Sequence, residues 1–203
     1  MRPWPVVQVP LAPSARLYNG EAMFTDIQDY LRYYRGLNKR TVRDIDALPP
    51  EAADYQPPAS LAEKAGNGEN TWSIGEIVRH IAGTRLYFAR AYRNEGWIFD
   101  GPLRQVESQD DWIPVLEESF EEFTSHLANT PADWLQRRIE LIDTEGTISG
   151  WRILMMCIEH AVHHRSQVDT YAGLNGWDPP QIYGRSAEQV GLEQERQQEK
   201  HTG

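Results

Sequence analysis

The chain has 203 residues, enough for one domain with a substantial core, with a formal net charge of −10 and a pI of about 5.1. Hydrophobic residues make up 40% and charged residues 25%, an ordinary globular balance, and the acidity, with no basic stripe, argues against nucleic acid and anionic membrane surfaces as partners. A single cysteine, Cys157, excludes an intrachain disulfide and fits a reducing cytoplasm, and no apolar run reaches the roughly 18 residues of a membrane span.

Residues 1–20 carry Pro3, Pro5, Pro10 and Pro13 and lack the charged start, apolar block and cleavage site of a signal peptide, so they read as an extended arm. Met23 is an alternative start to Met1. A first helix is predicted over 21–48, with Phe24, Ile27, Leu31, Tyr34, Asn38, Thr41, Ile45 and Leu48 on one face. Pro49 and Pro50 end it, and 49–70 is a linker containing Pro57, Pro58, Gly66 and Gly68. Ser73 and Glu76 form a capping box that opens a second helix. Its buried stripe is Ile74, Ile77, Ile81, Thr84 and Phe88, with His80 beside it, and Gly96 is the expected left-handed cap at its end.

A third helix is capped by Asp110 and holds Pro114 in its first turn, where a missing N–H is tolerated. Trp112, Leu116, Phe120, Phe123 and Leu127 face inward, while Glu117, Glu118, Glu121 and Glu122 form a solvated face. A turn of helix opens at Thr130, and Arg138 to Ile142 can pair as a strand with Thr147 and Ile148. Ser149 caps a fourth helix running to Leu174, with Trp151, Leu154, Met155, Ile158, Ala161, Val162, Val168 and Ala172 as its core stripe. Asn175 and Gly176 end it, and Pro179 and Pro180 prevent its resumption. The polar segment 188–203 is expected to be a flexible tail. The fold class is all-α: one four-helix bundle domain over 21–187 with long crossovers and a short β-hairpin before the last helix.

The chemistry concentrates in Glu159-His160-Ala161-Val162-His163-His164-Arg165-Ser166-Gln167. His160 and His164 lie one helical turn apart on the line Ile153, Cys157, His160, His164, Gln167, Tyr171, beside the apolar stripe. With His80 from a facing helix they make three neutral ligands for a divalent ion, placed at one end of the bundle core and open to the loops. Buried imidazoles need a shared partner; a metal supplies one, and a buried carboxylate or a water network is the alternative. His163 points away from His164, and His126 and His201 carry no functional expectation. Tyr34, Asn38, Thr41, Thr84, Cys157 and Gln167 are candidates to line the pocket. Cys157 also reads as a small buried hydrophobe, Glu76 as a cap rather than a ligand, and Arg165 as half of a structural ion pair.

The segment Trp72-Ser73-Ile74-Gly75-Glu76-Ile77-Val78-Arg79-His80-Ile81-Ala82, together with the fourth-helix motif, resembles the signatures of the DinB/YfiT superfamily of metal-binding helical bundles. Leu48-Pro49-Pro50 and Asp54-Tyr55-Gln56-Pro57 resemble the stretch before the signature tryptophan, and the likeness covers roughly 22–178. Ser166 stands where the family commonly has Gly. The resemblance implies an up-down-down-up bundle and matches His80, His160 and His164 to the three ligands of Zn²⁺ or Ni²⁺. It also implies thiol-dependent S-transferase or isomerase chemistry, with a low-molecular-weight thiol beside a small-molecule substrate. A metal-dependent hydrolase and a non-catalytic, stress-associated metal- or ligand-binding dimer are the competing expectations. Long apolar helices and seven tryptophans suggest a homodimer.

Overall fold

The computed structural model describes residues 24–58, 71–102, 104–178, 181, 182, 184 and 187–202. The expected arm, Met23 and linker residues 59–70 lie outside these. Helix α1 spans Ile27–Asp46, and Asp26 caps it, its carboxylate accepting from the Asp29 N–H at 2.8 Å. The start is therefore at Asp26 rather than residue 21. All eight residues of the predicted stripe, from Phe24 to Leu48, are buried. A 3-10 turn, Pro50–Asp54, follows.

Helix α2 spans Ile74–Arg93 and opens with the capping box that the sequence specifies. Glu76 accepts from the Ser73 N–H at 2.7 Å and returns its own N–H to the Ser73 hydroxyl at 3.2 Å. At the other end Asn94, not Gly96, takes the left-handed cap, with φ of 62°. The short Asn side chain tolerates that backbone, and the Glu95 N–H closes the end on the Arg90 carbonyl at 2.9 Å.

Helix α3 spans Trp112–Leu127. Asp110 does not cap it: Asp110 lies inside a 3-10 turn, Gln109–Asp111, and Asp111 precedes the helix. The Asp111 carboxylate reaches back to the N–H groups of Glu107 and Ser108, so the capping chemistry is spent on the turn. Strands β1 (Arg138–Glu140) and β2 (Thr147–Ser149) pair antiparallel, Ile139 opposite Ile148, and Ile139 is buried. Helix α4 spans Gly150–Leu174, with Ser149 at the cap position but making no side-chain cap bond.

Two apolar clusters fix the helix directions. One joins Tyr30 and Tyr34 near the start of α1 to Phe88 and Tyr92 late in α2, Phe123 and Leu127 late in α3, and Ile153 and Leu154 early in α4. The other joins Ile45 late in α1 to Ile74 and Ile77 early in α2, Trp112 and Leu116 early in α3, and Val168 and Ala172 late in α4. The starts of α1 and α4 thus share one end with the finishes of α2 and α3, which is up-down-down-up. Helix α2 packs against α3 and α4, and α1 packs against the same two, so α1 and α2 are diagonal.

Polar groups bridge the helices. Arg85, buried on α2, donates to Asn38 Oδ1 on α1 at 2.6 Å, to Ser119 Oγ on α3 at 2.7 Å, and to the Leu116 carbonyl. Residues 188–202 of the segment expected to be a flexible tail lie in helix α5 (Ala187–Thr202). Its Glu, Gln, Lys and Arg residues are strong helix formers, so polarity without β-branching suits a helix as well as a coil.

Candidate metal centre

Helix α2 presents His80 about two turns from its start, and α4 presents His160 and His164 towards it. His160 Nε2 lies 2.9 Å from His80 Nε2 and 3.1 Å from His164 Nε2. All three ligand nitrogens fall within 4.8 Å of one another. His164 is buried and the other two are half-buried. The cluster sits where α2 meets α4, between the two apolar clusters, not at an end of the core; His160 packs on Phe88 from one cluster, and Trp72, packed on the other, lies against His80.

Burial, reinforced by His164 nearby, lowers the His80 imidazole to about 4 and His160 to about 3. Both rings are therefore neutral at physiological pH, the form that binds a metal. Thr84 Oγ1 is 3.3 Å from His160 Nδ1, and Gln167 Oε1 is 2.6 Å from His164 Nδ1. The Trp72 ring lies 4.6 Å from His80 and stacks on His164 at 5.8 Å, and Phe99 stands 5.9 Å from His80. Gly83 admits this wall: a Cβ there would come within 3.0 Å of the Gly101 backbone and 3.1 Å of Phe99.

The remaining candidates separate into the site and the core. Thr84 and Gln167 touch the histidines. Cys157 is buried and donates to the Tyr34 hydroxyl at 3.5 Å, and burial pushes its thiol up to about 11. Tyr34 is stacked among Tyr30 and Phe120. Asn38 is bonded to Arg85, and the Thr41 hydroxyl donates to the Leu37 carbonyl of its own helix at 3.2 Å. Glu76 is held in the cap, and Glu159 is exposed and paired with Arg152 at 2.8 Å. Arg165 is buried 3.8 Å from the fully buried Asp44, the structural ion pair the sequence suggested. His163 is exposed, and Ser166 turns outward with its hydroxyl on the Val162 carbonyl at 2.9 Å.

Arg85 is the residue that sequence reasoning missed. The signal was present: Asn38 is a polar break in the α1 stripe and needs a buried partner. Arg85 occupies the turn between Ile81 and Phe88 on the buried face of α2.

Three convergent imidazoles suit a divalent transition ion. At metal–nitrogen distances of about 2.0–2.1 Å, tetrahedral ligand nitrogens lie about 3.4 Å apart, close to the 2.9 and 3.1 Å found here. Four helices running up-down-down-up, with three histidines of the second and fourth able to hold one ion, define a class of helical bundle. The chain belongs to the DinB family, whose model matches residues 23–199. Its fold is similar to that of a DinB-like protein from Bacillus cereus, with a TM-score of 0.61 at 16% identity, covering 78% of this chain and 99% of that one. A DinB-like protein from Bacillus subtilis gives a TM-score of 0.56 at 16% identity, covering 75% of this chain and 96% of the other. Among curated proteins, none matches the chain.

Proposed function

We propose that the chain is a metal-dependent enzyme that transfers a low-molecular-weight thiol to a small electrophile, with His80, His160 and His164 holding Zn²⁺ or Ni²⁺. The observation that carries this reading is the convergence of three imidazole nitrogens within 4.8 Å of one another, with His80 and His160 held neutral. A divalent ion held by three neutral ligands keeps its full charge and, when bound, favours thiolate over thiol at neutral pH.

The chain's own thiol is a poor substitute. Cys157 is buried, bonded to Tyr34 and held as the neutral thiol, so the sulfur nucleophile comes from solution. In the transfer, that sulfur forms a bond to carbon, the leaving group departs with its electron pair, and the thiol proton passes to solvent. Trp72 and Phe99 give an apolar, aromatic wall beside His80 that suits an uncharged organic substrate. Hydrolysis is less well supported, because Glu76 and Glu159 are engaged in a cap and a surface pair and leave no evident general base among the described residues.

The test uses protein loaded with Zn²⁺ or Ni²⁺, a panel of small thiols and a chromogenic aryl halide. Metal-dependent thioether formation, abolished in the His160→Ala/His164→Ala variant, is the expected result. A metal-loaded wild type no faster than that variant across the panel would remove the transferase reading.

A further inference from the structure

We infer that Thr84 and Gln167 are positioning residues that fix the ring tautomers of His160 and His164, so that both direct a bare Nε2 at one shared cation. The inference rests on the metal reading above and deepens it. A threonine hydroxyl carries one proton, and that of Thr84 lies 2.9 Å from the His80 carbonyl and 3.1 Å from the Ile81 carbonyl. Carbonyl oxygens only accept, so the proton belongs to them. What Thr84 turns towards His160 Nδ1, at 3.3 Å, is a lone pair. His160 therefore carries its proton on Nδ1, and its Nε2 is bare.

Gln167 does the same for His164. Its amide oxygen accepts at 2.6 Å from His164 Nδ1, which must then hold the ring proton. In the neutral form that binds a metal, the two Nε2 atoms face each other at 3.1 Å as lone pairs. That contact is repulsive until a cation lies between them. A back-bond from threonine to its own helix is common and would by itself mean little. The reach of the same oxygen to a ring on another helix distinguishes Thr84.

His80 differs. Its Nε2 is 2.9 Å from His160 Nε2, and its Nδ1 has no hydrogen-bond partner among the described residues. In the metal-free protein His80 donates its Nε2 proton to His160, and on metal uptake that proton moves to Nδ1. Two of the three ligands are thus preset and the third adapts. Outer hydrogen bonds of this type commonly contribute about 10–100-fold to metal affinity.

The test joins ring nitrogen chemical shifts of ¹⁵N-labelled metal-free protein to Zn²⁺ affinity from competition with a chromophoric chelator. In the wild type, His160 and His164 are expected to show protonated Nδ1 and bare Nε2, and His80 the reverse. Thr84→Val and Gln167→Leu should each weaken Zn²⁺ binding about 10–100-fold and release the tautomer of the ring they support. Thr84→Ser and Gln167→Glu, which keep the acceptor, should restore both. Tight wild-type binding with unchanged affinity in Thr84→Val and Gln167→Leu, or an Nε2 proton on His160 or His164, would overturn the inference alone. No Zn²⁺ uptake by the wild type would overturn the metal reading and the inference with it.

Discussion

Cys157 and Arg85 mark how far single residues could be read in advance. A lone cysteine in an apolar helix is usually a buried hydrophobe, and Cys157 is one, held against Tyr34. Its proximity in sequence to His160 therefore implies no part in the chemistry. Cys157→Ala should keep metal binding and thiol transfer within about twofold of wild type, since a raised thiol pKa leaves little thiolate at neutral pH. Loss of transfer in that variant with the metal still bound would place the nucleophile in the chain. Asn38 and Thr41 were legible as polar interruptions of a core stripe, but not where they point. Periodicity places a residue on a face and says nothing of its partner across the bundle. Asn38 is taken by Arg85 on the diagonal helix, a contact between residues 47 positions apart. The roles of Thr84 and Gln167 were hidden for the same reason: a position near the pocket was readable, a bond to a particular ring nitrogen was not.

At the scale of elements, the sequence is most reliable where chemistry is local. The capping box at Ser73, the hairpin of β1 and β2, and the termination of α4 at Asn175 depend on residues a few positions apart. The misread boundaries are also local, but there two residues compete for one role. Asn94 precedes Gly96 and captures the cap, and Asp111 turns its carboxylate to the preceding backbone, leaving Asp110 in the turn. The start of α4 depends on distant packing. A Cβ on Gly150 would lie 2.2 Å from the Trp134 carbonyl oxygen and 2.9 Å from the Tyr92 ring. Only glycine lets the helix leave β2 against that turn. Gly150→Ala should destabilise the fold by about 1–3 kcal/mol, as overpacking does, seen as a lower denaturant midpoint. An unchanged midpoint would mean that the turn yields freely.

At the scale of the whole molecule, four amphipathic stripes were enough to give a four-helix bundle, because each stripe must be buried against another. Their relative directions were not in the periodicity. They came from the family resemblance, and the two core clusters bear them out. Six of the seven tryptophans lie among the described residues, and all six pack in or against the chain's own core. No helix among the described residues is long and apolar enough to cross a membrane. The bundle brings residues 80 and 160, far apart in sequence, to 2.9 Å between nitrogens. That closure, rather than either histidine motif alone, makes the site. The most direct measurement is the metal content of protein purified without an affinity tag, beside the His160→Ala/His164→Ala variant. The account predicts about one Zn²⁺ or Ni²⁺ per chain, given a single site with three protein ligands, and its loss in the variant. A wild type that carries no metal and takes up neither ion on addition would contradict it, leaving the three histidines as a hydrogen-bonded contact between α2 and α4.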